Sequence, residues 1–218
     1  MIDPTLLMSL LAKRTKDALV KATHTAKVYG QDGDTAMDDI ILTYIKNMRD
    51  TNSPRYMSFA EYKRNHTKDD VLSCSVIPLE YPYSKRQQIE QRLNELGYPT
   101  YQIDTQSDFT VNAEARIVAA FPLAEAIKKP SHYCRMASLL WDEIGIDAHT
   151  DGCVSATFLF APYIINPRVI FRNADQPLLD PKTYIEFNEG HLVYAREEQK
   201  PAPETFVTDD GLFEFAAR

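Results

Sequence analysis

The chain has 218 residues, of which 44% are hydrophobic, and a formal net charge of −7 at pH 7. This length suits one large or two small domains with a sizeable core. The acidic balance argues against a protein that grips a phosphate backbone over its whole surface, although it leaves room for a local basic groove. The first residues show no pattern typical of a signal peptide or a membrane span, so we expect a cytoplasmic protein.

The N-terminal part is predicted to be helical. Apolar residues at helical spacing predict a helix over Thr5–Val28, and a second helix is predicted over Ile40–Met48. Residues 1–55 are therefore interpreted as an N-terminal helical segment.

Aromatic and basic side chains alternate in the next stretch. The candidates for nucleic-acid binding are Tyr62, Lys63, Arg64 and Lys68, because aromatic rings can stack on bases while cations neutralise phosphates. The alternative is a short helix that packs Phe59 and Tyr62 on the core.

The centre of the chain has the rhythm of strand, helix, strand, polar loop and strand. An apolar run over Leu72–Leu79 ends at the carboxylate of Glu80, and a helix is predicted over Lys85–Leu96 with Gly97 as its stop. Strands are predicted over Tyr98–Ile103 and Ala115–Phe121. A strand, helix, strand unit favours parallel pairing of the two strands that flank the helix.

Three further elements are predicted downstream. A helix is predicted over Pro130–Gly145, with one apolar face formed by Tyr133, Met136, Ala137, Leu140 and Ile144. It is followed by a loop that carries Asp151 and by a β-rich run over Val154–Phe160. Residues Tyr184–Phe187 and Leu192–Tyr194 are interpreted as a β-hairpin. The acidic residues 196–218 are interpreted as a tail.

The order of these features resembles a known family. The segments in question read FAEYKRNHTKDDV, then a strand ending in an acid, YQIDTQSDFT, ARIVAAFPL, HYCRMASLLWDEIGI, DAHTDGC and FLFAP. This set resembles the small primase-polymerase domains of phages and plasmids, members of the archaeo-eukaryotic primase superfamily. The resemblance covers roughly half of the chain and implies an α+β fold, with an RRM-like mixed sheet flanked by helices over residues 56–195.

The resemblance also implies a site with two divalent metals, Mg or Mn, held by acids from adjacent strands. Glu80 and Asp151 correspond to metal-binding acids, Asp108 joins them as a catalytic candidate, and Ser107 and Arg116 correspond to nucleotide-binding residues. The chain departs from the family at two places. Pro82 stands where a second acid is expected, and Asp108 stands where the family has a histidine that contacts the triphosphate.

These departures favour a weakened or lost nucleotidyltransferase site in a nucleic-acid-binding protein of phage or plasmid replication. DNA and a replication protein such as a helicase are the expected partners. The first alternative is an active metal-dependent primase-polymerase, in which Asp104 or Asp108 completes the metal site. The second is a protein-interaction module without a nucleic-acid role.

Each site residue also has a structural interpretation. Glu80 can be a solvated strand end, and Asp108 can cap a turn through its side chain. Arg116 lies in an otherwise apolar strand, which favours an acidic partner within the protein over a substrate.

Overall fold

The structure is a computed structural model. It describes the backbone of residues 5–12, 22–27, 55–63, 68–107, 112–147, 154–163, 168–188, 206–208 and 211–213, with side chains described only between residues 56 and 188. The strands are β1 (Thr5–Ala12), β2 (Ala22–Lys27), β3 (Arg55–Ser58), β4 (Ala60–Tyr62), β5 (Val71–Pro82), β6 (Thr100–Gln106), β7 (Ala115–Ile127), β8 (Ala161–Pro162), β9 (Val169–Arg172), β10 (Phe206–Thr208) and β11 (Gly211–Phe213). The helices are α1 (Arg86–Leu96), α2 (Pro130–Ile144) and α3 (residues 181–188).

The central sheet has the strand order β4-β5-β7-β6-β8, and β9 also pairs with β6. Every pairing between these named strands is antiparallel. The predicted α+β class is confirmed, but the predicted mixed sheet with direct parallel pairing is wrong. β5 and β6 run in the same direction, yet β7 lies between them. The connection after β6 is short, so β7 pairs with β6 as an antiparallel neighbour. Because β7 also pairs with β5, it separates β5 from β6.

The two long helices follow the predicted apolar spacing. In α1, Ile89 and Leu93 are buried, and Gly97 ends the helix with a φ of 70°, the left-handed conformation that favours glycine. In α2, the predicted core face is confirmed, since its buried residues include Tyr133, Met136, Ala137, Leu140 and Ile144.

The strand register separates two faces of the central sheet. One face belongs to the core cluster that also includes residues of α1 and α2. This face carries Ile77, Leu79 and Tyr81 of β5 and Ile117, Ala119 and Phe121 of β7. Side chains alternate along a strand. The opposite face therefore carries Glu80 of β5, Arg116 and Val118 of β7, and Ile103 and Thr105 of β6.

A helix replaces the predicted hairpin near the C-terminal end of the described core. Residues 181–188 are helical, whereas residues 192–194 lie outside the described part of the chain. The Asp180 side chain accepts hydrogen bonds from the backbone N–H groups of Lys182 and Thr183. Asp before a first-turn Pro181 is a standard helix start, and it overrides the β tendency of the following residues.

Two other predicted elements also differ from the structure. Thr5–Ala12 and Ala22–Lys27 are antiparallel strands, and Thr5–Ala12 also pairs with β3. The predicted helix is therefore wrong over these two stretches. The apolar residues of a leucine-rich run fit the period of a strand as well as that of a helix, and pairing with neighbouring strands decides between the two. Residues 155–159 form turns and irregular chain instead of a strand. The second predicted helix, Ile40–Met48, lies outside the described residues, and the division into domains stays a prediction.

Candidate functional site

Glu80 lies in a buried polar cluster on the sheet face opposite α1 and α2. Glu80 as a whole residue is 3% exposed to solvent. Thr105 donates its hydroxyl to Oε1 of Glu80 at 3.2 Å, and Nη1 of Arg116 donates to Oε2 at 2.9 Å. Glu80 opposes Val118 in the register, while Thr105 and Pro82 oppose Arg116, so three neighbouring strands place these groups together. The predicted acidic partner of Arg116 is confirmed, and it is Glu80.

Two opposing effects act on the Glu80 carboxyl. Burial raises its pKa, whereas the charge of Arg116 and the hydrogen bonds from Arg116 and Thr105 lower it. The rise prevails, because moving a carboxylate out of water is costly even beside a cation. Glu80 is therefore not the solvated strand end that the sequence leaves open.

The described residues around Glu80 do not fit a divalent metal. Both carboxylate oxygens already accept hydrogen bonds, and the nearest charged group is a guanidinium, which repels a second cation. A two-metal site needs several carboxylates to offset its charge. Among the described side chains, no three of His, Cys, Asp and Glu are grouped closely enough to hold a metal ion. Asp108 and Asp151 lie outside the described residues.

Asp104 does not complete a site with Glu80. It opposes Ile117 on β7, whereas Glu80 opposes the next residue, Val118. Adjacent positions on a strand point to opposite faces, so the two carboxylates lie on different sides of the sheet. Asp104 instead faces Arg86, whose Nη1 is 3.4 Å from both carboxylate oxygens.

Asp104 belongs to a second polar network, which the sequence analysis did not identify. Glu90 of α1 accepts hydrogen bonds from Arg86 at 2.9 Å and from Gln102 at 2.9 Å, and Arg172 of β9 lies 3.3 Å from it. The hydrogen bond from Gln102 is the main cause that lowers the pKa of Glu90, and the two arginines add to it. The network ties α1 to β6 and β9, so its role in this structure is to join elements.

The candidate nucleotide-binding and nucleic-acid-binding residues are scattered. The Ser107 hydroxyl accepts the Glu114 backbone N–H at 2.9 Å, which places it in the turn between β6 and β7. Tyr62 is fully buried, and its hydroxyl donates to the Ala156 carbonyl at 3.4 Å. Its ring therefore packs in the core. Lys63 and Lys68 are exposed, and Arg64 lies outside the described residues.

A basic groove that the sequence analysis did not locate lies where β7, α2 and α3 meet. It has a volume of about 720 Å³. Its apolar lining includes Ile127 and Ile185, and two carboxylates, Glu125 and Glu186, also line it. Its exposed basic residues are Lys128, Lys129, His132, Arg135 and Lys182. The only sequence signal is the Lys-Lys pair before Pro130, because Lys182 is distant along the chain.

Comparison with known proteins assigns no family. No protein-family model matches the chain, and no curated protein matches it either. Among solved structures, it is similar to the AEP domain of the cyanophage S-2L primase-polymerase, with 13% sequence identity over 85% of this chain and 89% of that one. The TM-score is 0.47, so this likeness assigns neither fold family nor activity. Within the described residues, no helix is long and apolar enough to cross a membrane.

Proposed function

We propose that the chain is a nucleic-acid-binding protein of phage or plasmid replication, with a primase-polymerase-like fold and a lost or weakened nucleotidyltransferase site. The observation that carries this proposal is the buried contact of 2.9 Å between Glu80 and Arg116. Glu80 holds the position that the sequence resemblance assigns to a metal-binding acid. In this structure it neutralises a guanidinium within the protein.

The surroundings of Glu80 support a structural role. Its side chain is 4% exposed, and that of Arg116 is 16% exposed, so the pair is largely removed from water. Releasing Glu80 to a metal would leave Arg116 without its closest carboxylate. Breaking a buried pair costs about 3–5 kcal/mol, and this cost opposes metal capture at the site.

The proposal is tested by two assays on the same preparation. The first measures binding of a labelled DNA at several salt concentrations, and the second measures incorporation of a labelled nucleotide on a primed template with Mg²⁺ or Mn²⁺. We expect salt-dependent DNA binding and no incorporation that depends on Glu80. Incorporation that is lost in a folded Glu80→Gln variant would show an active primase-polymerase. Absence of DNA binding would leave the interaction-module alternative.

A further inference from the structure

We propose that the basic groove binds the sugar-phosphate backbone of nucleic acid through Lys128, Lys129, Arg135 and Lys182. This inference rests on the proposed function and adds the place of contact. It moves that place away from Lys63, Arg64 and Lys68, the cations that the sequence favours.

The first observation is that the three lysines of the groove carry charge that the described protein does not neutralise. Within the described part of the chain, the side chains of Lys128, Lys129 and Lys182 make no ion pair and no hydrogen bond to protein. Four arginines elsewhere have carboxylate partners. These pairs are Arg86 with Glu90 and Asp104, Arg92 with Glu95, Arg116 with Glu80, and Arg172 with Glu90. In a chain of net charge −7, a cluster of free lysines is a local attractive field for an anion.

The second observation is that separate elements of the fold hold the cations. Lys128 and Lys129 follow the buried end of β7 at Ile127, which is 7% exposed. His132 and Arg135 are three residues apart on α2, so they share one helix face. Lys182 is in the first turn of α3. Because these elements are packed in one core, the backbone positions that carry the cations are set before any ligand binds, which lowers the entropic cost of binding.

The contacts are expected to come from side chains. The backbone N–H groups of His132 and Tyr133 already donate to the Lys129 carbonyl, at 3.0 and 3.2 Å. They are therefore not available to an anion at the start of α2. Lysine ammonium groups act as mobile point charges that tolerate variation in phosphate position.

The lining of the groove favours the nucleic-acid backbone as the ligand. No Phe, Tyr or Trp is among the described residues that line it, so this lining does not supply the large aromatic rings on which unpaired bases stack in single-strand binders. Four formal cations outnumber the carboxylates of Glu125 and Glu186. Dispersed cations match the repeating charge of a phosphate backbone, and such contacts position nucleic acid without reading its sequence.

The experiment compares two variants that each lose two lysine charges. Lys128→Ala/Lys182→Ala removes cations from the groove, and Lys63→Ala/Lys68→Ala removes them from the surface predicted by the sequence. Binding of a fluorescent 20-base-pair duplex is measured by anisotropy between about 50 and 300 mM salt. Circular dichroism checks the fold of each variant, and the four substituted side chains are exposed.

The groove variant is expected to lower the slope of log K against log salt by nearly 2, since each lost phosphate contact removes about 0.9. Its affinity at 100 mM salt should fall roughly 10- to 60-fold. The Lys63→Ala/Lys68→Ala variant should keep the wild-type slope. Equal losses in both variants, or a loss only in the second, would overturn the inference while leaving nucleic-acid binding intact. If the wild type shows no salt-dependent DNA binding, the proposed function itself fails.

Discussion

Replacing Arg116 by methionine removes the guanidinium that contacts Glu80 and keeps a side chain of similar length. The Glu80 carboxylate would then retain only the Thr105 hydroxyl as a described hydrogen-bond partner. Because the Glu80 side chain is 4% exposed, water cannot replace the lost cation without rearrangement. We expect the folded variant either to hold an unpaired buried charge or to take up a proton at Glu80.

Protonation of Glu80 sets the upper limit of the loss in the free energy of unfolding. Each pH unit above the ordinary carboxyl pKa of 4.5 adds about 1.4 kcal/mol to the cost of protonating Glu80. This gives a ceiling of about 5 kcal/mol at pH 8 and about 1.4 kcal/mol at pH 5.5. Breaking a buried pair costs about 3–5 kcal/mol, so the full loss is expected at pH 8 and only part of it at pH 5.5.

The direction in which stability changes with pH follows from proton linkage. Arg116 lowers the pKa of Glu80, so its removal raises the folded-state pKa further above the unfolded value. A group with a raised folded-state pKa binds more protons when folded. Its contribution to stability is complete below pH 4.5 and is lost as the pH rises through the folded-state pKa. Arg116→Met should therefore lose stability more steeply than the wild type between pH 5.5 and pH 8.

Urea unfolding followed by circular dichroism at both pH values measures this loss. The matched control is Glu80→Gln/Arg116→Met, which buries no charge at this position, so its stability should fall less than that of Arg116→Met between pH 5.5 and pH 8. A loss below about 1 kcal/mol at pH 8, or an equal loss at both pH values, would show that Glu80 is solvated and would refute the reasoning.

Three other substitutions test the same structure by urea unfolding. Thr105→Val removes the hydroxyl that donates to Glu80 and should cost about 1–2 kcal/mol, more at pH 8 than at pH 5.5; a pH-independent cost would contradict the contact. Gly97→Ala should cost about 1–2 kcal/mol through its φ of 70°, since no atom lies within 4 Å of an added Cβ; an unchanged stability would argue against the left-handed helix end. Asp180→Ala should cost about 1 kcal/mol by removing the cap of α3, whereas Asp180→Asn should retain most of it.

Local patterns in the sequence were enough for the long elements of the central core. The apolar spacing of Ile89 and Leu93 identified α1, and the residues from Tyr133 to Ile144 identified both α2 and its buried face. Gly97 marked the end of α1 correctly, and its φ is positive. These features depend on near neighbours in the chain, so a sequence contains them directly.

The errors concern pairing and capping. Whether β5 lies beside β6 or β7 is a matter of strand order, and the hydrophobic pattern of β7 is compatible with either neighbour. The Asp180-Pro181 helix start is present in the sequence, but β-favouring residues such as Tyr184 and Ile185 follow it and favour a strand by local propensity. At the N-terminus, the period of the leucine-rich run does not separate strand from helix.

The candidate site was only partly predictable, because its members are far apart in the chain. An arginine in an apolar strand indicated an acidic partner for Arg116, but only strand order identifies Glu80 as that partner. The opposite orientations of Glu80 and Asp104 follow from register, which single-sequence patterns do not fix. The basic groove likewise joins Lys128 to Lys182 through the packing of α2 and α3.

The most direct test of the central claim is a calorimetric titration with manganese and a nucleoside triphosphate, on the wild type and on Glu80→Gln. If Glu80 is the buried partner of Arg116 and not a metal ligand, any manganese-dependent triphosphate binding by the wild type will be unchanged in the variant. Binding that Glu80→Gln abolishes, while circular dichroism shows the variant folded, would contradict the account and make Glu80 part of a working metal site.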